Sequence, residues 1–183
     1  MGWFVTIAAG VLVVWAIWTY NRLVRLRNQV RAGWSDIDVQ LTRRHDLVGN
    51  LVEAVRGYAS HESALLQSVT ALRSEAMGTS SPARLGPLES QLERAVGSLF
   101  ALREAYPDLK ASENFLQLQR DLVDVEDQLQ YARRFYNGAV RQFNETIQRV
   151  PDVAVARGFG FREAEFYQAA EGERAAPRLG ETA

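Results

Sequence analysis

The fold is decided by residues 115–150, which read FLQLQRDLVDVEDQLQYARRFYNGAVRQFNETIQRV. Apolar residues recur in this stretch at alternating spacings of three and four, which is typical of a helix with one narrow apolar face. The pattern ends at Pro151, because proline lacks the backbone N–H that would continue a helix. The stretch therefore predicts one long helix that buries its apolar face against other helices. The face consists of Phe115, Leu118, Leu122, Val125, Leu129, Ala132, Tyr136, Ala139, Phe143 and Val150.

The same alternation of apolar residues appears earlier in the chain and predicts a second long helical segment. Its phase permits either one helix to about Met77 or two helices separated near Gly57 and Ser60. The turn-forming residues 78–82 then break the pattern, and Gly86-Pro87 predicts a further loop or a short capping turn. The apolar positions are Leu23, Val30, Trp34, Ile37, Leu41, Val48, Leu51, Val55, Tyr58, Leu65, Val69, Leu72 and Ala76.

One more helix is predicted between these two segments, and it ends near Tyr106 because the following proline disfavours helical geometry in the residue before it. Helices joined by short loops pack as antiparallel neighbours. The predicted fold class is therefore all-α, an N-terminal transmembrane helix followed by an elongated antiparallel bundle of three to four helices. The apolar positions of this helix are Leu88, Leu92, Ala95, Leu99 and Leu102.

The chain is expected to divide into a transmembrane anchor at residues 1–21, a helical bundle at 22–167 and a disordered tail at 168–183. The tail is rich in Ala, Glu, Gly and Arg and offers almost no large apolar residue to a core. Four aromatic residues between Pro151 and the tail are expected to dock on the bundle or on the membrane surface. They are Phe159, Phe161, Phe166 and Tyr167.

The anchor prediction rests on the stretch from Gly2 to Tyr20, which carries no charged side chain. As a helix, residues 3–20 would extend about 27 Å, close to the hydrocarbon thickness of a bilayer. Trp3 lies at one end and Trp15, Trp18 and Tyr20 at the other, where amphipathic rings prefer the two interfaces. A cleaved signal peptide is the alternative, but the charged n-region, shorter apolar stretch and small-residue cleavage site that it needs are poorly matched.

Four arginines follow the anchor directly, at Arg22, Arg25, Arg27 and Arg31. The positive-inside bias then places the body of this single-pass protein in the cytoplasm. The same arginines are expected to attract anionic lipid headgroups, so membrane lipids are predicted partners.

Composition excludes several classes of function. Basic and acidic residues nearly cancel, at 21 against 22, so the chain lacks the basic footprint of a nucleic-acid-binding protein. The sequence has no cysteine, which excludes disulfides, a thiol nucleophile, zinc-thiolate sites and a lipid-modified cysteine.

The residues that could support catalysis or metal binding do not assemble a recognisable site. His45 and His61 would lie about 160° apart on one helix, so we interpret both as solvated surface residues. Gly158-Phe159-Gly160 has no preceding strand, so a phosphate-binding loop is not supported. We therefore predict no catalytic, cofactor-binding or metal-binding residue, and no enzymatic activity. Carboxylates without the Glu-x-x-His spacing of a di-metal bundle are interpreted as a solvated face: Asp36, Asp38, Asp46, Glu53 and Glu62.

Arg44 occupies a position on the apolar face where a leucine is expected. Either its aliphatic stem lines the helix contact while the guanidinium reaches water, or it forms a buried ion pair. If the first and last long helices run antiparallel and both end near the membrane, at Arg22 and Val150, then Arg44 lies opposite Gln128. The hypothesis is that Arg44 bonds to Asp124 or Asp127 and thereby fixes the helix register.

The same alignment places Trp34 opposite Gly138, and a glycine there would leave room for the indole ring.

Several segments closely resemble the LemA family, and the resemblance extends from about residue 3 to residue 167. Three positions depart from the family pattern: Gly49 stands where proline is usual, Asp127 where asparagine is frequent and Val153 where asparagine is common. The matching segments are YNRLVRLRN at 20–28, WSDIDVQL at 34–41, RRHDL at 43–47, NLVE at 50–53, GYA at 57–59, EAYPDLK at 104–110 and FGF at 159–161.

The resemblance implies a single-pass membrane protein with a helical bundle, and it implies no catalytic residues. Family members are similar to a magnetosome membrane protein and are often linked with membrane zinc metalloproteases and TPM-domain proteins. We therefore expect a membrane-anchored scaffold that forms homo-oligomers or presents its bundle to a partner. The alternative is an adaptor or regulator of a membrane metalloprotease or TPM-domain protein in protein quality control.

Overall fold

The structure is a computed structural model that describes residues 2–168. These residues contain no β-strand, so the all-α prediction is confirmed for them. The predicted disordered tail lies outside the described residues from position 169 onwards. The helices are α1 (Gly2–Arg56), α2 (Ser63–Met77), α3 (Pro82–Ala101), a 3-10 turn (Leu102–Glu104), α4 (Pro107–Lys110), α5 (Glu113–Gln148) and α6 (Asp152–Gly158).

The second apolar segment forms two helices rather than one. α1 ends at Arg56, and the amides of Tyr58 and Ala59 both bond to the Val55 carbonyl in the turn that follows. The break changes which residue reaches the core: Ala59 is fully buried, whereas Tyr58 is 45% exposed. The prediction that Tyr58 belongs to the apolar face is therefore wrong, because the helical phase stops before it.

The expected loop at Gly86-Pro87 is also wrong, since both residues lie inside α3. Leu85 and Leu92 are buried on the same helix, and their burial outweighs the one backbone hydrogen bond that Pro87 removes. Gly86 is needed for a different reason. A Cβ atom at this position would run into the backbone carbonyl of Gln168, which lies directly against the helix.

The described chain forms two compact units, and α1 and α5 contribute to both. The first unit comprises residues 1–37 and 131–166. In it, Trp34 of α1 packs on Tyr136 of α5 with ring centroids 5.5 Å apart, while Arg22, earlier in α1, reaches Asp152 beyond the end of α5. The two helices therefore run antiparallel in this unit. Its buried apolar residues include Leu23, Leu26, Val30, Ile37, Ala139, Val140, Phe143 and Ile147.

The helix register differs from the predicted one by two residues. Trp34 contacts Tyr136 rather than Gly138, and a Cβ atom at Gly138 would meet nothing within 4 Å. The glycine that permits close approach is Gly33, where a Cβ atom would lie 3.1 Å from the Tyr136 Cα. The error has one cause. The alignment assumed that α5 ends at Val150, but it ends at Gln148, and Val150 is 79% exposed.

The second unit comprises residues 38–130 together with the chain from Tyr167. It is built from the remainder of α1 and α5 with α2, α3 and α4, and α2 packs against α3. Phe115 is fully buried at the start of α5, with its ring centroid 5.7 Å from that of Phe100. Its core consists of Val48, Leu51, Val52, Val55, Ala59, Leu66, Val69, Leu92, Val96, Leu99, Leu109, Phe115, Leu118 and Leu122.

α1 is the one helix among residues 2–168 whose length and composition suffice to span a membrane. In the structure its apolar stretch packs against almost nothing. Trp3 is 84% exposed, and Val11 and Val14 in the middle of the stretch are 63% and 68% exposed. No helix boundary separates this stretch from the part of α1 that joins the body.

Candidate functional site

Arg44 and His45 lie in a buried charge cluster of the second unit, which we define as Arg44, His45, Glu89 and Glu126. The Arg44 side chain is 5% exposed, and its Nη1 atom lies 3.3 Å from Glu89 Oε2 and 3.4 Å from Glu126 Oε2. The buried-ion-pair interpretation of Arg44 is therefore confirmed and the solvated one is wrong. The partners, however, are not the expected Asp124 or Asp127, because the two-residue shift in register brings Glu126 opposite Arg44.

His45 is not the solvated surface residue that the sequence suggests. It is 6% exposed, and its Nε2 atom lies 2.7 Å from Oε1 of Glu89, which has no exposed surface. The carboxylate of α3 thus bridges two neighbouring residues of α1. A buried carboxylate needs this kind of pairing, because an unpaired charge in a protein core is strongly unfavourable.

The cluster connects four helices of the second unit. α1 supplies Arg44 and His45, α3 supplies Glu89, and α5 supplies Glu126. From α2, the Arg73 Nε donates a hydrogen bond of 2.7 Å to the backbone carbonyl of His45. In this arrangement both carboxylate oxygens of Glu89 lie against side chains of α1, Oε1 against His45 and Oε2 against Arg44.

The other polar residues singled out from the sequence lie apart from this cluster. His61 is exposed, as expected. Glu62 is partly buried and accepts a hydrogen bond of 3.2 Å from the Tyr106 hydroxyl. Burial and the adjacent Glu62 charge raise the pKa of Tyr106. The remaining carboxylates are exposed, as predicted: Asp36, Asp38, Asp46 and Glu53.

In the first unit, an aromatic cluster lies where the apolar stretch of α1 ends; we define it as Tyr20, Phe159 and Phe161. The ring of Tyr20 is 4.8 Å from that of Phe159 and 5.8 Å from that of Phe161. Arg27 places its guanidinium 5.0 Å from the centre of the Phe161 ring. The expected docking on the bundle is confirmed for Phe161, whose ring centroid lies 6.3 Å from that of Phe143. Phe159 contacts Tyr20, which belongs to the predicted anchor. Gly160 between the two phenylalanines has a φ of 70°, a left-handed conformation that favours glycine.

Asp152 is a buried contact that the sequence analysis missed. It opens α6 and accepts hydrogen bonds of 3.4 Å from the Thr19 hydroxyl and the Arg22 guanidinium. Two of the four arginines that follow the apolar stretch of α1, Arg22 and Arg27, therefore make contacts within the protein.

The chain after α6 is held on α5 by two buried side chains. Asn144 donates to and accepts from the Ala164 backbone, both at 2.9 Å. The Tyr136 hydroxyl donates a hydrogen bond of 2.7 Å to the Glu165 carbonyl. Burial, with a smaller contribution from the Glu165 charge, raises the pKa of Tyr136 to about 12.

This raised pKa predicts a loss of stability at alkaline pH. Folding favours the neutral phenol, so the stabilisation is fully present below the ordinary tyrosine pKa of about 10 and is lost as the pH rises toward about 12. Tyr136→Phe should weaken this alkaline destabilisation when unfolding is followed by circular dichroism. Tyr131→Phe, at an exposed tyrosine of the same helix, is the matched control. An identical alkaline profile in Tyr136→Phe and the parent protein would contradict the assignment.

Comparison with known proteins finds relatives along most of the chain. The chain is 26% identical over 178 residues to magnetosome protein MamQ 2 of Paramagnetospirillum magneticum, covering 81% of this chain and 64% of that protein. It is 30% identical over 156 residues to protein LemA of Metamycoplasma hominis, covering 84% of this chain and 71% of that protein. It thus spans 64% of the length of the magnetosome relative.

The sequence profile described as the LemA family matches residues 33–180, which is most of the body. The match includes the helices that supply Arg44, Glu89 and Glu126. The protein belongs to the LemA family.

Proposed function

We propose that the protein is a membrane-anchored helical scaffold, whose first helix crosses a bacterial inner membrane once and whose body lies on the cytoplasmic side. The observation that carries the proposal is the exposure of the apolar stretch of α1. Trp3, Phe4 and Val5 are 69–84% exposed, and the large apolar residues from Ile7 to Trp18 are mostly more than half exposed.

An exposed apolar surface of this extent is rare on a soluble monomer, where it marks a membrane or protein contact. A helix that docks in a protein groove is apolar on one side, whereas this stretch is apolar around its whole circumference. A bilayer surrounds such a helix with apolar lipid on every side. The backbone N–H and C=O groups of the helix are already hydrogen-bonded to each other, so they need no water.

The residues at the end of the stretch support the same placement. Trp18 and Tyr20 are partly exposed rings suited to the interface, and Arg22 lies with its guanidinium 5.8 Å from the Trp18 ring centre. Arg25 and Arg31 are exposed and face solvent or headgroups. The similarity to relatives named as magnetosome proteins is consistent with a role at a membrane.

Self-association is the form of scaffolding that we propose. Two copies anchored in one membrane have the same orientation and are confined to a thin layer beside it. Their effective concentration is therefore high, and a weak contact between their bodies is enough for association. Each body needs no catalytic group for this role.

Cysteine cross-linking in native membranes tests the proposal directly. The chain has no cysteine, so single-cysteine variants at exposed positions such as Val123 and Tyr131 report contacts without background. We expect cross-linked dimers or larger species. Monomer alone, with no partner recovered in mild detergent, would overturn the scaffold. Recovery of a membrane zinc metalloprotease or a TPM-domain protein in place of a second copy would replace self-association by an adaptor role.

The orientation makes a separate prediction. Trypsin added to intact spheroplasts should leave the arginine-rich body undigested, and it should cleave the body once the membrane is permeabilised, because the positive-inside bias places the body in the cytoplasm. Digestion before permeabilisation would place the body on the opposite side.

A further inference from the structure

The chain from Val150 to Arg162, which includes α6, lies beside the end of the apolar stretch of α1. We call it the C-terminal turn. Phe159 and Phe161 stack on Tyr20, and Asp152 bonds to Thr19 and Arg22. If α1 spans the membrane as proposed above, Tyr20 lies at the interface, and groups that stack on it lie at the same depth.

Two large apolar side chains of the C-terminal turn are exposed despite this packing. Val150 is 79% exposed and Phe159 is 64% exposed. Exposure of such groups to water is unfavourable, whereas the interfacial layer of a bilayer buries apolar and aromatic surface. Their position next to the anchor makes lipid the solvent that they would meet.

A cleft of about 420 Å³ opens on the same turn. Its lining includes the apolar residues Ile147, Val153, Ala156 and Phe161, together with Gln148 and two exposed arginines, Arg157 and Arg162. Glu163 also lines the cleft, but its carboxylate accepts a hydrogen bond of 2.9 Å from Gln148. The cleft therefore combines two guanidinium groups with apolar side chains.

We propose that the C-terminal turn is a second membrane contact that binds an anionic phospholipid of the bilayer in which α1 is anchored. Val150 and Phe159 enter the interfacial layer. Arg157 and Arg162 bind the phosphate of the headgroup, because guanidinium groups match phosphate oxygens in charge and geometry. The apolar residues that line the cleft contact the glycerol and the first methylene groups of the lipid. This inference rests on the membrane anchor of the proposed function.

Spin labels on the full chain in vesicles distinguish the two proposals. Because the chain lacks cysteine, one label each is introduced by Phe159→Cys, Val150→Cys, Phe135→Cys and Val11→Cys. Phe135 is the matched control, an aromatic residue of the first unit that is 54% exposed and lies outside the turn. Labels at 159 and 150 should be more accessible to oxygen than to a water-soluble nickel complex, and the label at 135 should show the reverse.

The label at Val11 reports the anchor independently. If it lies in lipid while those at 159 and 150 remain in water, the second contact is wrong and the anchor stands. If the label at 11 is itself in water, both proposals are wrong.

The headgroup is tested by thermal unfolding of the full chain in an uncharged detergent. Short-chain phosphatidylglycerol should raise the melting temperature by several degrees, and short-chain phosphatidylcholine should not. The rise should disappear in the double variant Arg157→Gln/Arg162→Gln and remain in Arg120→Gln, an exposed arginine outside the turn. A rise of equal size with inorganic phosphate alone would indicate a free-phosphate site, and an undiminished rise in the double variant would also overturn the proposal.

Discussion

Replacing Arg44 alone by leucine is expected to lower the free energy of unfolding by about 3–5 kcal/mol, because it leaves a buried charge without its ionic partner. That charge is the Glu89 carboxylate, which has no exposed surface and would keep only His45. For a chain of this size the loss corresponds to a fall in melting temperature on the order of 10 °C. Thermal unfolding of the full chain in mild detergent measures it.

The double variant Arg44→Leu/Glu89→Leu should recover part of this loss, because it removes both charges of the pair, although it also takes the 2.7 Å partner of the buried His45 ring. Replacing both charges by apolar side chains removes the desolvation penalty along with the ion pair, and such replacements are often neutral. Glu93→Leu is the control, because Glu93 is 45% exposed at the rim of the cluster and lies 3.9 Å from Arg44. If the single and double variants melt at the same temperature, the pair is solvated and the cluster does not hold the helices together.

A leucine at Gly33 should destabilise the protein by about 1–3 kcal/mol, which is the usual cost of overfilling a packed contact. Even a Cβ atom there would lie 3.0 Å from the Phe135 ring and 3.1 Å from the Tyr136 Cα, so α5 would have to move away from α1 to admit a larger side chain. Gly138→Leu is the matched control. A Cβ atom at position 138 meets nothing within 4 Å. The substitution should therefore stabilise α5 by roughly 0.5–1 kcal/mol, because glycine is a poor helix residue.

Urea unfolding of both variants decides between the two registers. The opposite result, a harmful leucine at 138 and a harmless one at 33, would restore the alignment expected from the sequence, in which Gly138 faces Trp34.

The helices themselves could be predicted from the sequence because a helix is indicated by the spacing of apolar residues within its own segment. The apolar residues of α5 from Phe115 to Phe143 repeat at helical spacing, and all of those that the pattern predicts are buried. The register could not be predicted, because it depends on where the last turn of α5 ends. The predicted end, Val150, and the observed end, Gln148, differ by two residues. Helix ends are set by packing as much as by propensity.

The sequence indicated one residue of the charge cluster, Arg44, but not its partner Glu89. Arg44 stands out because it interrupts an apolar face, but Glu89 was missed because the face of α3 was assigned from Leu88. Leu92 and Leu99 of the predicted face are buried, but the pattern of buried residues that contains them runs through Leu85, Glu89 and Val96, which also gives alternating spacings of four and three. A glutamate on that alternative face is the signal that could have paired α3 with Arg44.

Other contacts have no local signal at all. His45 is buried because α3 covers it, and Asp152 is buried because α6 folds back on Thr19 and Arg22. Each contact joins residues that are far apart in sequence, so it follows from the tertiary structure rather than from any spacing of residue types.

A depth profile along α1 tests the membrane anchor most directly. Single spin labels at exposed positions between Val5 and Arg25, on the full chain in vesicles, report the ratio of oxygen to nickel-complex accessibility at each residue. The account predicts a high ratio around the whole helix with its maximum near Val11, falling to the value of an exposed label at Glu53 by Arg25. A ratio that oscillates with the helical period would show a helix lying on the surface, and a ratio near that of Glu53 throughout would show a helix in water; either result would contradict the anchor.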